Sequence, residues 1–205
     1  MANRRYFIIG NPSFLVLLVR VRVIFPIILL GLVSSFSCAA KKVGESSVGV
    51  VAGYGISHPS WGDTAEKVET IDVALRYEST PEKVKGLQWY KNRRSFIIEI
   101  PLHVVRAPYD SYMLGISFLS RLVFEGKKIK PYLLTGGGPV YSNANIEGMG
   151  SKINGSYQAG AGLEFTINRR RYFVEIRYHH ISNGSIRKPN IPLNSSKILF
   201  GMDVY

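Results

Sequence analysis

From residue 47 onward, apolar and polar residues alternate with a period of two in segments that recur about every twenty residues. These segments are rich in Val, Ile, Tyr and Phe, which favour strands, and no stretch shows the 3.6-residue repeat of an amphipathic helix. The pattern therefore predicts an all-β protein. Its eight candidate strands are Ser47–Ile56, Thr70–Glu78, Phe96–Val105, Ser111–Phe124, Ile129–Val140, Gly155–Ile167, Arg171–Ser182 and Ser196–Val204.

The two faces of these strands favour a membrane barrel over a soluble sandwich. In the third candidate strand, Phe96 and Ile100 share one face, whereas Glu99 and His103 lie on the other. Strands of roughly 9–13 residues can cross a bilayer at a tilt, and an aromatic residue, Tyr205, follows the last strand, as is common in outer-membrane barrels. An open sheet edge in hydrocarbon would leave backbone groups unpaired at several kcal/mol each. We therefore expect an eight-stranded antiparallel up-and-down outer-membrane β-barrel.

Two uncertainties in the fold stay open from the pattern alone. A soluble lipid-carrying barrel, such as a lipocalin, would show the same alternation with its apolar face turned inward. The connection from Ser79 to Ser95, which holds Trp89 and Tyr90, is long for a periplasmic turn, so the strand count is open by one there. A porin is disfavoured, because eight strands make a barrel too narrow for a pore.

Residues 1–40 differ sharply from the rest of the chain, with four arginines, no acidic residue and a long apolar run. Two of the arginines precede the apolar stretch Val23–Val33, which is followed by small residues. This arrangement predicts that residues 1–40 are a signal peptide that is removed, leaving residues 41–205 as a single barrel domain. A transmembrane anchor is disfavoured, because Pro26 interrupts a run shorter than the ~20 residues that a spanning helix needs.

Charge and cysteine content limit the kinds of partner that the chain is expected to bind. Cys38, the single cysteine, lies in the expected cleavage region, so no disulfide can form within the chain, and lipidation of Cys38 stays open. Without residues 1–40 the net charge falls from +12 to +8, which fits either nucleic acid or anionic lipid. Secretion, and the lack of a basic helix or aromatic RNA-binding motif, disfavour nucleic acid. The expected location is the outer membrane of a Gram-negative-type bacterium, and the formation of a homodimer stays open.

The seventh candidate strand ends in two residues with catalytic potential, His180 and Ser182. Strand parity places both on the face with the apolar side chains, which is expected to meet lipid. With both termini in the periplasm this strand ends at the outer rim, and side chains two apart have Cβ atoms roughly 6–7 Å apart. An imidazole can then take the proton of the serine hydroxyl and activate it as a nucleophile. Polar residues at a barrel rim without catalytic function would show the same spacing.

Other conspicuous residues have structural interpretations. The opposite face of the same strand carries Glu175, Arg177 and His179, for which an ion-pair network inside the barrel is expected. The glycine run that ends at Pro139 indicates strand curvature rather than a phosphate-binding loop. The segment from Asn168 to Arg171 is expected to be a periplasmic turn.

The residues around the serine and histidine form a longer motif, namely Arg177-Tyr178-His179, His180-Ile181-Ser182-Asn183-Gly184 and Pro189-Asn190. This motif closely resembles the C-terminal motif of the PagL-type lipid A 3-O-deacylases, which are also called acyloxyacyl hydrolases. The resemblance runs from about Glu175 to Tyr205, with weaker similarity in residues 130–138 and 159–165. It implies an outer-membrane esterase, needing no metal or other cofactor, that hydrolyses the 3-O-linked acyl chain of lipid A. Its partner would be the lipid A or lipopolysaccharide of the outer leaflet.

The resemblance also implies roles for single residues, with an active site on the outside of the barrel. His180 would be the general base, Ser182 the nucleophile and Asn183 a hydrogen-bond donor to the oxyanion. The flexible Gly184 can add a second donor. Arg187 and Lys188, in the outer loop beside the serine, are expected to meet the phosphates of lipid A.

One position departs from the family's pattern. Its best-known members have a glutamate twelve residues after the serine, and here that position holds Asn194. An asparagine can orient an imidazole through a hydrogen bond but cannot stabilise imidazolium by charge. We therefore expect either slower hydrolysis with Asn194 as the third catalytic residue or a substitute acid, while Asn190 and Ser195 are further candidates to hold His180. A non-catalytic outer-membrane barrel, serving as a structural protein or an adhesin, is the alternative.

Overall fold

The computed structural model describes residues 46–80 and 93–204. All long regular elements in these residues are strands, and no helix among them has the length and apolar character needed to cross a bilayer. The strands are β1 (Ser46–Ser57), β2 (Glu69–Ser79), β3 (Arg93–Ala107), β4 (Ser111–Gly115), β5 (Ser117–Val123), β6 (Ile129–Ser142), β7 (Ile153–Ile167), β8 (Arg170–Ser182) and β9 (Leu193–Asp203).

The sheet closes on itself. Consecutive strands pair antiparallel around the barrel, and β1 also pairs with β9 from Gly49–Asp203 to Ser57–Ser195. Strands β4 and β5 pair with the same neighbours, β3 and β6, so they form one barrel strand that is interrupted at Ile116. The interruption lies beside Pro139, which has no N–H to donate, although the N–H of Ile116 still donates to the Pro139 carbonyl at 3.0 Å. The predicted eight-stranded antiparallel barrel is confirmed.

Side chains alternate between the two faces of the wall. The outward apolar side chains include Ile71, Phe96, Ile100, Leu133, Ile176, Ile198 and Phe200, all of them exposed. Many inward side chains are charged, and Arg76, Glu99 and Arg177 are almost completely buried. An apolar outside with a charged inside is the arrangement of a membrane barrel and the opposite of what a lipid-carrying barrel requires.

Ion pairs fill much of the interior. Arg177 donates to Glu99 and Glu175 at 2.8 Å each, and Arg76 binds the same two carboxylates. His179 is also buried inside, with its ring centroid 5.3 Å from that of another histidine. A second group, at the same level as the chain termini of the barrel, consists of Arg121, Arg171, Glu78, Glu164 and Asp203. The expected ion-pair network around Glu175 and Arg177 is therefore confirmed.

One prediction of local backbone structure changes in detail, and another agrees with the structure. The turn between β7 and β8 consists of Asn168 and Arg169, which have positive φ values of 50° and 66°, and β8 begins directly after it. Arg170 and Arg171, which the expected turn included, therefore lie in the strand, as the candidate strand Arg171–Ser182 had predicted for Arg171, and Arg171 turns inward to its ion pairs. In the glycine run, Gly136 has φ of +155° and a Cβ there would overlap the backbone of the adjacent strand, which fits the expected role in strand curvature.

Three long connections lie together at one end of the barrel, because alternate strands run in opposite directions. They are the β1–β2 loop (58–68), the β6–β7 loop (143–152) and the β8–β9 loop (183–192). The N–H of Glu147 donates to Glu66 Oε1 at 2.7 Å, and the N–H of Gly150 donates to the Pro189 carbonyl at 2.9 Å. The β6–β7 loop thus joins the other two into one rim.

Several sequence predictions lie outside the described residues. They concern the signal peptide of residues 1–40, Cys38, Trp89, Tyr90 and Tyr205.

Candidate active site

The last residues of β8 bring a histidine and a serine together on the outer surface. The two-residue period of the strand places His180 and Ser182 on the outward face, where both are half-buried. His180 Nε2 lies 3.0 Å from Ser182 Oγ, within hydrogen-bond distance. Strand parity had predicted this juxtaposition.

Asn194 lies directly opposite His180 in the register between β8 and β9. Its side-chain oxygen Oδ1 is 2.8 Å from His180 Nδ1 and also accepts a hydrogen bond from the Tyr178 hydroxyl at 2.6 Å. Because an amide oxygen can only accept, Nδ1 must carry the ring proton, and Nε2 is then free to accept from Ser182. Hydrogen bonds therefore join serine, histidine and asparagine in one chain, and the histidine has the tautomer that a general base needs.

The position of Asn194 differs from the predicted strand boundary. Strand β9 begins at Leu193, three residues before the predicted start at Ser196, because its pairing with β8 continues to Ile181–Leu193. Pro192, which has no N–H to donate, precedes the strand. Asn194 is therefore part of the strand and not of the loop before it.

The β1–β2 loop covers Asn194 and holds its amide nitrogen. Asn194 Nδ2 donates to the Trp61 carbonyl at 2.8 Å and to Thr64 Oγ1 at 3.0 Å. The N–H of His58 donates to the Asn194 carbonyl at 3.0 Å, which fixes the start of the loop to β9. Both ends of the amide are thus bound by protein atoms, and Thr64 and Asn194 are only 4% and 5% exposed.

Asn190 and Ser195 do not hold His180, so this part of the sequence prediction is wrong. Asn190 Oδ1 accepts the N–H of Asn183 at 2.8 Å. Ser195 faces the barrel interior, because it neighbours the outward Asn194 on the strand, and its hydroxyl donates to the His179 carbonyl at 3.3 Å.

Asn183 and Gly184 begin the β8–β9 loop directly after the serine. Besides the N–H bonded to Asn190, Asn183 donates its side-chain Nδ2 to the Arg187 carbonyl at 2.8 Å. Gly184 has φ of +63°, which turns the chain away from the strand direction. Both donor groups of Asn183 are thus engaged within the loop, and its N–H can meet an oxyanion only after Asn190 releases it.

Arg187 and Lys188 are exposed at the tip of the same loop, next to Ile186, which is 93% exposed. Two positive charges and one apolar side chain therefore project from the rim a few residues from Ser182. No group of three His, Cys, Asp or Glu side chains within residues 46–80 and 93–204 is arranged to hold a metal ion.

Residues 52–203, which run from β1 to β9, match the family model described as lipid A 3-O-deacylase (PagL). The chain belongs to the PagL family. The match covers most of the chain, and it confirms the resemblance that the motif around His180 and Ser182 suggested.

Two solved structures share the fold of this PagL-family chain. The crystal structure of the outer membrane enzyme PagL is 18% identical, with a TM-score of 0.55, over 77% of this chain and 98% of that chain. The crystal structure of Neisserial surface protein A (NspA) is 11% identical, with a TM-score of 0.52, over 77% and 95%. At these identities the likeness shows a shared outer-membrane barrel fold. No curated protein matches the chain significantly.

In this PagL-family chain, the sequence did not predict the residues that surround Ser182, His180 and Asn194. Tyr178 could have been found, because it shares the outward face of β8 with His180. Trp61 and Thr64 gave no signal, because they lie in an irregular loop about 130 residues from Asn194.

A second serine–histidine pair was missed as well. His58 Nε2 lies 2.7 Å from Ser196 Oγ, and Ser196 lies opposite Tyr178 in the register of β8 and β9. The ring of His58 packs against Trp61 at a centroid distance of 4.1 Å. This pair offers a matched control for experiments on Ser182.

Proposed function

We propose that this protein is an outer-membrane esterase that removes the 3-O-linked acyl chain of lipid A. Ser182 is the nucleophile, His180 the general base and Asn194 the residue that orients the base. The observation that carries the proposal is a pair of hydrogen bonds on His180. One joins Ser182 Oγ to His180 Nε2 at 3.0 Å, and the other joins His180 Nδ1 to Asn194 Oδ1 at 2.8 Å. These three residues lie on the outer face of a PagL-family barrel, where a lipid reaches them without leaving the bilayer.

The proposal includes an orientation of the barrel in the membrane. With both chain ends of the barrel in the periplasm, the three joined loops lie at the cell surface and the serine lies beside the outer leaflet. Lipopolysaccharide occupies that leaflet in Gram-negative-type bacteria. Arg187 and Lys188 are then at the depth of the phosphates of lipid A, which they can bind by charge-assisted hydrogen bonds.

In the first half of the reaction, Ser182 Oγ attacks the ester carbonyl carbon while His180 Nε2 takes the hydroxyl proton. The tetrahedral intermediate collapses, the bond from carbon to the sugar oxygen breaks, and His180 returns its proton to that oxygen. The products are the sugar hydroxyl and an acyl ester on Ser182. In the second half, water attacks this ester with the same histidine as base, and the fatty acid and free serine are released.

The oxyanion of each tetrahedral intermediate needs hydrogen-bond donors. Asn183 and Gly184 follow the serine directly, and the proposal assigns this function to them. Because the N–H of Asn183 is bonded to Asn190 at 2.8 Å, a shift of the Asn190 side chain on substrate binding is part of the proposal.

The neutral side chain of Asn194 limits the expected rate of hydrolysis. It fixes the ring orientation and the tautomer of His180, but a neutral amide adds no charge to stabilise the imidazolium that forms during each step. We therefore expect hydrolysis that is slower than with a carboxylate triad but depends on the same serine and histidine.

Mass spectrometry of lipid A tests the proposal in a Gram-negative host whose lipid A keeps all its acyl chains. Expression of the wild-type protein is expected to remove one hydroxyacyl chain, and Ser182→Ala and His180→Gln are expected to abolish the change. Ser196→Ala is the matched control, because it removes the hydroxyl of the other serine–histidine pair on the same face. Altered migration of unheated samples in SDS gels shows that each variant has folded.

A non-catalytic surface barrel is the second candidate, and two observations favour it. Asn194 occupies the position of the family's glutamate, and the fold is also that of Neisserial surface protein A, at a TM-score of 0.52. Unchanged lipid A in cells that carry folded wild-type protein in the outer membrane would support this candidate and contradict the esterase.

A further inference from the structure

We infer that the Thr64 side chain and the Trp61 carbonyl form an amide clamp that decides which end of the Asn194 amide faces His180, and that Thr64 is thereby a positioning residue of the site. The effect on hydrolysis rests on the proposed function. The effect on the histidine tautomer rests on the geometry alone, so the two can be tested separately.

The amide needs partners that select its orientation, because the two ends of an asparagine amide have nearly the same shape. One end accepts hydrogen bonds and the other donates them, so only the hydrogen-bond partners select the orientation. Asn194 Oδ1 faces His180 Nδ1 at 2.8 Å and the Tyr178 hydroxyl at 2.6 Å. The histidine alone cannot select this end, since an imidazole can either donate or accept at Nδ1.

The other end of the amide meets the part of the clamp that cannot change its role. Asn194 Nδ2 lies 2.8 Å from the Trp61 carbonyl oxygen, which only accepts. A flipped amide would place Oδ1 against this oxygen, with two acceptors in contact and no proton between them. Because Asn194 is 5% exposed, water cannot replace the lost hydrogen bonds.

Thr64 completes the clamp through a single hydroxyl. Its proton goes to the Trp61 carbonyl at 3.1 Å, which leaves the oxygen to accept from the Asn194 backbone N–H and from Nδ2, at 3.0 Å each. The bond from Nδ2 forms only when the amide nitrogen points to the loop, and with the amide reversed Thr64 could donate to Oδ1 only by withdrawing its proton from the Trp61 carbonyl. Thr64 is 4% exposed, so this arrangement is shielded from solvent.

The orientation of the amide determines the chemistry of His180. With Oδ1 towards the ring, the proton sits on Nδ1 and Nε2 accepts from Ser182. With the amide reversed, Nδ2 would donate to Nδ1 and the ring proton would move to Nε2, which then could not take the serine proton. The clamp therefore keeps the histidine in its basic tautomer, acting from a loop about 130 residues away in sequence.

The clamp is matched to an amide and not to a carboxylate. Both oxygens of an aspartate at position 194 are acceptors, so one of them would face the Trp61 carbonyl without a proton. The Asn194→Asp variant is therefore expected to hydrolyse lipid A more slowly than wild type at neutral pH, although it supplies a negative charge. Its pH profile is expected to shift upward, because a carboxylate stabilises the protonated imidazole.

The kinetic test compares Thr64→Val with Thr64→Ser in purified protein acting on lipid A. Valine keeps the shape of threonine and removes the hydroxyl, and we expect kcat to fall roughly tenfold with little change in KM. Serine keeps the hydroxyl and is expected to retain most of the activity. Equal rates for the valine variant and wild type would overturn the inference, as would a faster Asn194→Asp variant.

The tautomer is measured directly by nitrogen NMR of protein labelled with ¹⁵N-histidine in detergent micelles, at a pH of about 9, where an ordinary histidine is neutral. The chain has four histidines, and His180→Gln identifies the signals of His180 by their loss. Wild type is expected to carry the proton on Nδ1, and Thr64→Val is expected to carry a larger fraction on Nε2 than wild type, because Asn194 Nδ2 then keeps one of its two acceptors. This readout holds even if wild type does not act on lipid A, and an unchanged tautomer in folded Thr64→Val would overturn the inference.

Discussion

Replacing Arg177 by methionine measures how much the interior ion pairs stabilise the barrel. Arg177 is 2% exposed and donates to Glu175 Oε2 and Glu99 Oε2 at 2.8 Å each and to Gln158 Oε1 at 2.9 Å. Methionine keeps an unbranched side chain of similar width but removes the charge and all these donors.

The magnitude follows from the charges that remain. Without Arg177, the two buried carboxylates Glu99 and Glu175 share Arg76 as their one paired cation among the described residues, so this cluster holds one uncompensated negative charge. Breaking a buried ion pair by removing one partner costs about 3–5 kcal/mol. We expect the free energy of unfolding to fall by about 4 kcal/mol, a large part of the ~5–15 kcal/mol that is typical of a folded domain.

Urea unfolding in lipid vesicles, followed by tryptophan fluorescence, measures this loss. Arg106→Met is the matched control, because Arg106 is 41% exposed and pairs with Asp110 at 3.3 Å, and we expect it to change stability by less than about 0.5 kcal/mol. Arg177→Met combined with Glu175→Gln restores neutrality and is expected to recover part of the loss. If Arg177→Met is no less stable than Arg106→Met, the buried ion pairs do not stabilise the barrel.

Three further changes test other parts of the structure. Tyr178→Phe removes a hydrogen bond of 2.6 Å to the amide oxygen of the site and is expected to slow deacylation roughly threefold to tenfold, whereas an unchanged rate would show that this hydroxyl is not needed. Gly201→Val places a side chain in the space of the Phe173 ring and is expected to lower the free energy of unfolding in urea by about 1–3 kcal/mol, so a variant as stable as wild type would contradict the packing. Arg187→Ala with Lys188→Ala is expected to raise KM for lipid A more than it lowers kcat, by a factor that shrinks as salt is added, and an unchanged KM would remove these residues from the substrate site.

The barrel could be predicted from the sequence because one pattern carries it. Period-two alternation gives strands, and the bilayer requires every backbone group to pair, so eight long strands must close. Strand ends were less predictable, since they depend on partners: β9 begins at Leu193 because β8 extends far enough to pair with it.

The site was predictable only as far as it is local. His180 and Ser182 are two residues apart on one strand, so parity alone brought them to one face. Asn194 came from the spacing of a family motif. The hydrogen bonds of Thr64 to Asn194 depend on how an irregular loop folds over a distant strand, and the sequence carries no periodic signal for that.

Covalent trapping of the nucleophile tests the central claim most directly. A long-chain alkyl fluorophosphonate loses fluoride when a serine oxygen attacks its phosphorus, and peptide mass spectrometry of the vesicle-embedded protein then identifies the modified residue. We predict one adduct, on Ser182, that is lost in His180→Gln and kept in Ser196→Ala. An adduct on Ser196 instead, or none on folded wild-type protein, would contradict the assignment of Ser182 as an activated nucleophile.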